Sequence, residues 1–319
     1  MQDPLTMNVS SWEMDTGDLV MGATFLLQTV FGILGNGYLQ CGYNFYVIES
    51  RVRSIHFILK HLFVANSLVI VFKGVPQTME AFHLKTVLSD LGCKLVFYIH
   101  RLARGMSLAT TCLLSVFQAI TISPMNSRWA DFKVKAPKYI VHTVFLCWVL
   151  NMLVNVIYPL YMTAKWNDKT ITKKNKLGYC ARTEHDKITR FLSVLLVSVP
   201  DVVFLGLMLW ASVSMVFILH RHKQRVRHIQ RTRVSSRSSP ESRATNTILL
   251  LVTAYVSSYT VSSLFSIYVA VSDVTKWLLN MNALSNLFFP SASPFLLLNY
   301  DSTGLSLYSV CCRRNAQIP

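Results

Sequence analysis

Four stretches of this chain run without a formal charge for longer than a soluble fold requires: 19–48, 139–164, 244–272 and 277–300, of 30, 26, 29 and 24 residues. Apolar strands in a soluble core run about 4–8 residues, whereas a helix needs roughly 20 apolar residues to cross a bilayer. Only 14% of the residues are charged and the mean hydropathy is +0.39, against about 25% charged in an ordinary soluble domain. Three further runs are apolar but interrupted. Residues 56–79 hold Lys60 and Lys73, 93–121 hold His100, Arg101 and Arg104, and 191–219 hold Asp201 immediately after Pro200. Backbone groups in lipid must find their partners within their own segment, so each run reads as a helix. The expectation is an all-α membrane protein, a seven-transmembrane helix bundle with spans at 19–48, 56–79, 93–121, 139–161, 191–219, 244–270 and 277–298.

The charges flanking these runs set the orientation. Residues 1–18 contain four acids and no Lys or Arg, the reverse of a secretory leader's basic start. The first span is therefore expected to act as its own insertion signal, whether translation begins at Met1 or Met14. Arg51 and Arg53 follow it, and basic loops stay in the cytoplasm. The segments so placed inside carry 17 Lys and Arg against four acids; those placed outside carry 11 against ten. The net charge of +16 thus reflects sidedness, and no nucleic-acid partner is needed to explain it. One loop opposes the rule: residues 162–190 hold eight Lys and Arg yet fall outside.

The third span and the loop after it, "SLATTCLLSVFQAITISPMNSRWADFKVKAPK" (107–138), change character abruptly. The last uncharged position is Ser127, after which Arg128, Lys133, Lys135 and Lys138 arrive together. The third inner loop (220–243) is similarly basic and Ser-rich, suited to anionic lipid headgroups or a cytoplasmic partner. Ionisable residues inside a membrane are costly and usually face the bundle interior. His100, Arg101 and Arg104 share a broad helix face, and Lys73 and Asp201 lie at similar depth. These five residues are the candidate ligand site, a net cationic pocket open to the outside; an internal Arg104–Asp201 pair is the structural alternative. Cys93 and Cys180 both fall on the outer side, where they form either a bridge or two free thiols. Cys41, Cys112 and Cys147 lie within spans, as packing residues. Asn8 begins a glycosylation sequon, and Cys311 and Cys312 are candidate lipid-attachment sites. No HExxH, P-loop, GxSxG or paired catalytic carboxylates occur, so neither an enzyme nor a cofactor or metal site is expected.

The set Gly35-Asn36, Cys93, Trp148, Pro200 and Cys180 resembles the G protein-coupled receptors. Where the rhodopsin-like members carry an acidic-Arg-aromatic triplet, this chain reads Phe117-Gln118-Ala119. Their Asp in the second span is Asn66 here, and their Asn-Pro-x-x-Tyr is Ser293-Pro294-Phe295-Leu296-Leu297. The blocks "HRLARGMSLATTCLLSVFQAITISP" (100–124), "SRWADFKVKAPK" (127–138), "GILGN" (32–36) and "SPFLLL" (293–298) together resemble the vomeronasal type-1 receptors. That resemblance implies a plasma-membrane receptor for a pheromone-like small molecule, coupled to a heterotrimeric G protein of the inhibitory type. Gln118, Arg128, Lys133, Arg221 and Arg225 would then face the G protein. A bitter-taste-like receptor lacks these blocks. A transporter should show inverted repeats or paired broken helices, and none are visible. An epitope tag before Asp18 should stain on intact cells, and one near Ser236 only after permeabilisation; the opposite pattern would overturn the topology.

Overall fold

The computed structural model describes residues 16–45, 50–84, 89–123, 130–156, 159, 162–164, 174–177, 180–183, 187–229, 240–271 and 275–300. The long helices are α1 (Thr16–Phe45), α2 (Ser50–Val69), α4 (Asp90–Ile122), α5 (Ala130–Asn155), α6 (Lys187–Ile229), α7 (Pro240–Val271) and α8 (Lys276–Tyr300). A π turn, Ile70–Gly74, joins α2 to the short α3 (Val75–Ala81), so the second span is one interrupted helix. Among the described residues six helical segments are long and apolar enough to cross a membrane. The seventh, α8, has the length and no charge between Trp277 and Tyr300 but is diluted by Asn280, Asn282, Asn286, Pro290 and Pro294. Those residues turn out to build the polar core.

Helix α4 is the axis. Of its apolar window 72% is buried inside the protein, against 17% for the corresponding windows of α5 and α6. It packs on α2, α5, α6 and α7. Its sequence allows this because small residues let neighbouring backbones approach, and its hydroxyls satisfy themselves. Thr110 Oγ1 donates to the Met106 carbonyl at 2.7 Å, Thr111 Oγ1 to Ser107 at 2.7 Å, and Ser115 Oγ to Thr111 at 2.8 Å. A Cβ at Gly105 would fall on the side-chain amide of Asn151, so α5 closes on α4 where α4 has no side chain. Trp148 holds the other side of α5, its indole N–H donating to His61 Nδ1 on α2 at 3.2 Å.

Below the site, Leu62, Phe63, Leu108, Leu114, Met215 and Leu251 fill one continuous apolar core from α2, α4, α6 and α7. Burying each such side chain is worth roughly 1.5–3 kcal/mol in an aqueous reference; in lipid the gain is packing density. Cys112 and Cys147 are buried as packing residues, while Cys41 is exposed.

The segment expected as the second outer loop holds a small antiparallel sheet that the hydropathy pattern did not reveal. Strands β1 (Met162–Ala164), β2 (Lys174–Leu177) and β3 (Cys180–Thr183) lie in the order β1-β3-β2. Only Gly178 and Tyr179 separate β2 from β3, a length suited to a tight hairpin. The central strand carries Cys180, which is disulfide-bonded to Cys93 in the first turn of α4. The basic loop and the start of α4 are therefore tied together on one side of the bundle. At that same end Asp18 on α1 accepts from His83, 3.1 Å away just after α3, and from Lys276 at 3.3 Å, the first residue of α8.

The helices also run into the expected inner loops: α5 begins at Ala130, and α6 continues to Ile229. Helix α5 ends earlier than its apolar run, at Asn155, where the Val156 N–H reaches back only to Leu153. Pro159, which cannot donate to a helix, lies just beyond. Asn8, Arg128, Cys311 and Cys312 lie outside the described residues.

Because the disulfide closes a segment with a sequence separation of 87, each cysteine should be worth the whole bridge, on the order of 2–5 kcal/mol. Cys93→Ala and Cys180→Ala are expected to lower surface expression equally, with the double variant no worse. Additive losses would show that the thiols act separately.

Candidate functional site

Two polar layers are stacked along α4, and they differ in charge. The layer further from Cys93, called inner after the expected topology, is neutral. Pro294 has no N–H, so the Pro290 carbonyl one turn earlier has no helical partner. Asn36 on α1 supplies one: its Nδ2 donates to Pro290 O at 2.9 Å and to its own Gly32 O at 2.8 Å. A Cβ at Gly32 would come within 2.6 Å of Ile70 Cδ1 and 3.3 Å of the Ser291 backbone, so a larger residue there would crowd α1 against α8. One turn away, Asn66 joins three helices. It donates to Ser293 Oγ at 2.9 Å and accepts from Ser107 Oγ at 2.7 Å. Asn36, Asn66 and Ser293 are fully buried. A neutral amide closes this network without a counter-ion, whereas a carboxylate would be a buried charge needing one.

The outer layer is charged. Arg104 donates to Asn286 Oδ1 on α8 and lies 3.4 Å from Ser262 Oγ on α7. Its guanidinium also sits 5.0 Å from the ring centroid of Tyr259, within cation–π range. One turn outward, Arg101 pairs with Asp201 of α6 at 3.4 Å, and Tyr259 OH donates to the same carboxylate oxygen at 3.3 Å. Ser262 and Asn286 both reach Asn282 Oδ1, at 3.4 and 3.0 Å. Arg104, Ser107, Tyr259, Ser262, Asn286 and Phe289 line a cavity of ≈ 330 Å³, its open mouth included.

Of the five expected ligand-site residues, Arg104 lines this cavity, and Arg101 and Asp201 lie beside it, joined through Tyr259. His100 and Lys73 stand further along the same faces, close enough that Lys73, Arg101 and Arg104 all act electrostatically on His100. The internal pair differs from the sequence alternative: Asp201 binds Arg101, not Arg104. Arg104 points instead between α7 and α8, where three neutral groups receive it. Sequence reasoning missed Tyr255, Ser258, Tyr259 and Ser262. Their spacing of i, i+3, i+4 and i+7 on an apolar helix was the available signal, as was Asn282 and Asn286 one turn apart.

At the inner end of α4, Phe117, Gln118 and Ala119 are all buried, Gln118 to 4% exposure. Arg221 on α6 is exposed. The side chains of Lys133 and Arg225 lie outside the described residues, although their backbones are in α5 and α6. Among the described residues no group of three His, Cys, Asp or Glu is arranged to hold a metal.

The sequence pattern of the vomeronasal organ pheromone receptor family matches residues 19–308. The chain belongs to that family. It is 53% identical to the human vomeronasal type-1 receptor 4 over 288 residues, covering 90% of this chain and 95% of the relative. Human vomeronasal type-1 receptor 3 is 48% identical over 309 residues, with 96% and 99% covered. A more distant relative, the olfactory receptor class A-like protein 1 of Danio rerio, is 34% identical over 289 residues, 90% of each chain. As a member of this family the chain is a multi-pass membrane protein of the G protein-coupled receptor type, and its relatives are named as receptors, not enzymes.

The Arg101–Asp201 contact is partly buried, with side-chain exposures of 20% and 12%. Removing one partner strands the other, whereas removing both does not. Asp201→Ala and Arg101→Ala should each lower the melting temperature of the detergent-purified protein, and the double variant should recover much of the loss. The coupling should be about 1–3 kcal/mol; independent, additive losses would mean the pair does not hold α4 to α6.

Proposed function

We propose that this member of the vomeronasal family is a chemosensory receptor of the pheromone type. It binds a small extracellular ligand in the cavity around Arg104 and activates a heterotrimeric G protein of the inhibitory type, with its N-terminus outside the plasma membrane. The observation that carries this reading is the state of Arg104. A guanidinium with five N–H donors faces a cavity and is met there by Asn286, Ser262 and the Tyr259 ring, none of them charged. A ligand with an acidic or strongly polar head supplies the missing anion through charge-assisted bonds, while Phe289 and Tyr255 offer apolar walls.

The same contacts suggest how binding is transmitted. Arg104 links α4 to α7 and α8, so a ligand that takes over its hydrogen bonds changes what holds those helices together. A ligand shifts the balance of two helix arrangements only by binding one of them better. Burial of Gln118 means that its contact with a G protein requires the inner end of α4 to open. The exposed Arg221 and the basic loops around it offer a cationic surface for the G protein and for anionic lipid.

The test is a surface-normalised dose–response series in cells expressing several G proteins. Arg104→Ala should weaken responses to ligands with acidic heads by at least about tenfold, the order of one charge-assisted bond. Neutral hydrophobic ligands should change little. Arg104→Lys should recover only part, because an ammonium lacks the planar fork. Equal losses for every ligand would remove Arg104 from the pocket.

A further inference from the structure

The outer layer contains more positive charge than its own residues neutralise. Arg101 has Asp201 as a contact partner at 3.4 Å. Among the described residues Arg104 has only neutral acceptors and an aromatic face. Lys73, in the π turn, makes no ion pair within 4.0 Å among the described residues; the Glu80 carboxylate reaches it only through its longer-range field. Lys73, Arg101 and Arg104 against Asp201 and Glu80 leave one positive charge in excess. His100, one helical turn before Arg104 on α4, has a buried Nε2 without a hydrogen-bond partner among the described residues. The fields of Lys73, Arg104 and Arg101 all fall on that imidazole. Val69, one turn before Lys73 on the same helix face, lines the cavity together with Arg104.

An unpartnered buried polar atom and an uncompensated charge are each costly in a low-dielectric interior. Here one species answers both. With the ring proton on Nε2, that species is an acceptor for the imidazole N–H, carries a single negative charge, and is small enough to sit among packed helices.

We propose that His100, Lys73 and Arg104 hold a small inorganic anion of the halide class in the ligand-free receptor. His100 donates through Nε2–H, and Lys73 and Arg104 supply the field and further N–H donors. The anion completes the charge balance of the outer layer and leaves when a ligand with an acidic head brings its own charge to Arg104. The chemistry shared by ion and head group is one negative charge, so the experiment separates a free halide from a carboxylate.

Purified ligand-free receptor in nanodiscs of zwitterionic lipid is melted in sodium chloride, bromide, acetate or gluconate at one fixed ionic strength, near about 0.15 M. The readout needs no agonist and no G protein, so failure here leaves the receptor reading standing, and failure of that reading leaves this one. Chloride and bromide should raise the melting temperature saturably over gluconate by about 2–4 °C, the shift expected of a ligand bound well above its dissociation constant. His100→Phe and Lys73→Gln should each abolish the difference between halide and gluconate; Lys73→Gln gives the answer if His100→Phe does not fold. An equal halide effect in the variants, or none in the native receptor, overturns the proposal. So does stabilisation by acetate with chloride at the gluconate level, which would assign the site to the carboxylate of a ligand.

Discussion

The carbonyl of Pro290 is the constraint on which this bundle turns. Two prolines one turn apart free backbone acceptors in the middle of a membrane, where no bulk water can satisfy them. The protein answers from a different helix, with Asn36 of α1. That single donor requires α1 to lie against α8, which in turn requires small residues in "GILGN" where the helices touch. The two short motifs, far apart in sequence, are therefore the two halves of one hydrogen bond. One residue later the direction reverses: the Ser291 hydroxyl of α8 donates to Gln28 O on α1 at 3.0 Å.

From this seam polar contacts spread to α4 in two ways. The inner layer closes on Asn66 and is electrically silent, so it fixes the distances between α2, α4 and α8 with little sensitivity to the membrane's charges. The outer layer, one to two turns away, is built from full charges on the same central helix. Because α4 carries both, a rearrangement of Arg104 acts on a rod whose next turns are already anchored. The Cys93–Cys180 bridge ties the Cys93 end of that rod to the loop sheet.

The seven-helix class was legible because its signal is gross: long uncharged runs admit few other folds. The charged residues of α4 at and beside the cavity were legible because charge in an apolar helix is rare and conspicuous. The partners of Arg104 were not, since Ser262 and Asn286 are uncharged and ordinary in composition. Only their helical spacing betrays them, and spacing does not say which neighbour they face. The Asp201 pairing went to Arg101 because one helical turn decides which guanidinium meets a carboxylate on α6, and an apolar run does not fix depth more finely than that. The loop sheet was hidden because its strands are short, polar and β-paired with one another, leaving no apolar periodicity to read.

The uncharged triplet Phe117-Gln118-Ala119 gains its meaning from the same economy of charge. In this conformation Phe117 and Ala119 belong to the apolar core, and Gln118 is turned inward with them. An arginine at position 118 would bury a cation that needs a carboxylate beside it, and the preceding residue here is Phe, not an acid. Among the described residues the inner end of α4 is thus held by packing, with no ion pair at Phe117–Ala119. Packing contacts are individually weak and give way together, so opening this end costs apolar burial spread over several helices. Arg101 and Arg104, the charged residues that α4 turns toward its neighbours, both lie in the outer layer. Along α4 the kind of force therefore changes: full charges toward the Cys93 end, apolar packing at the far end, with the neutral Asn66 junction between them.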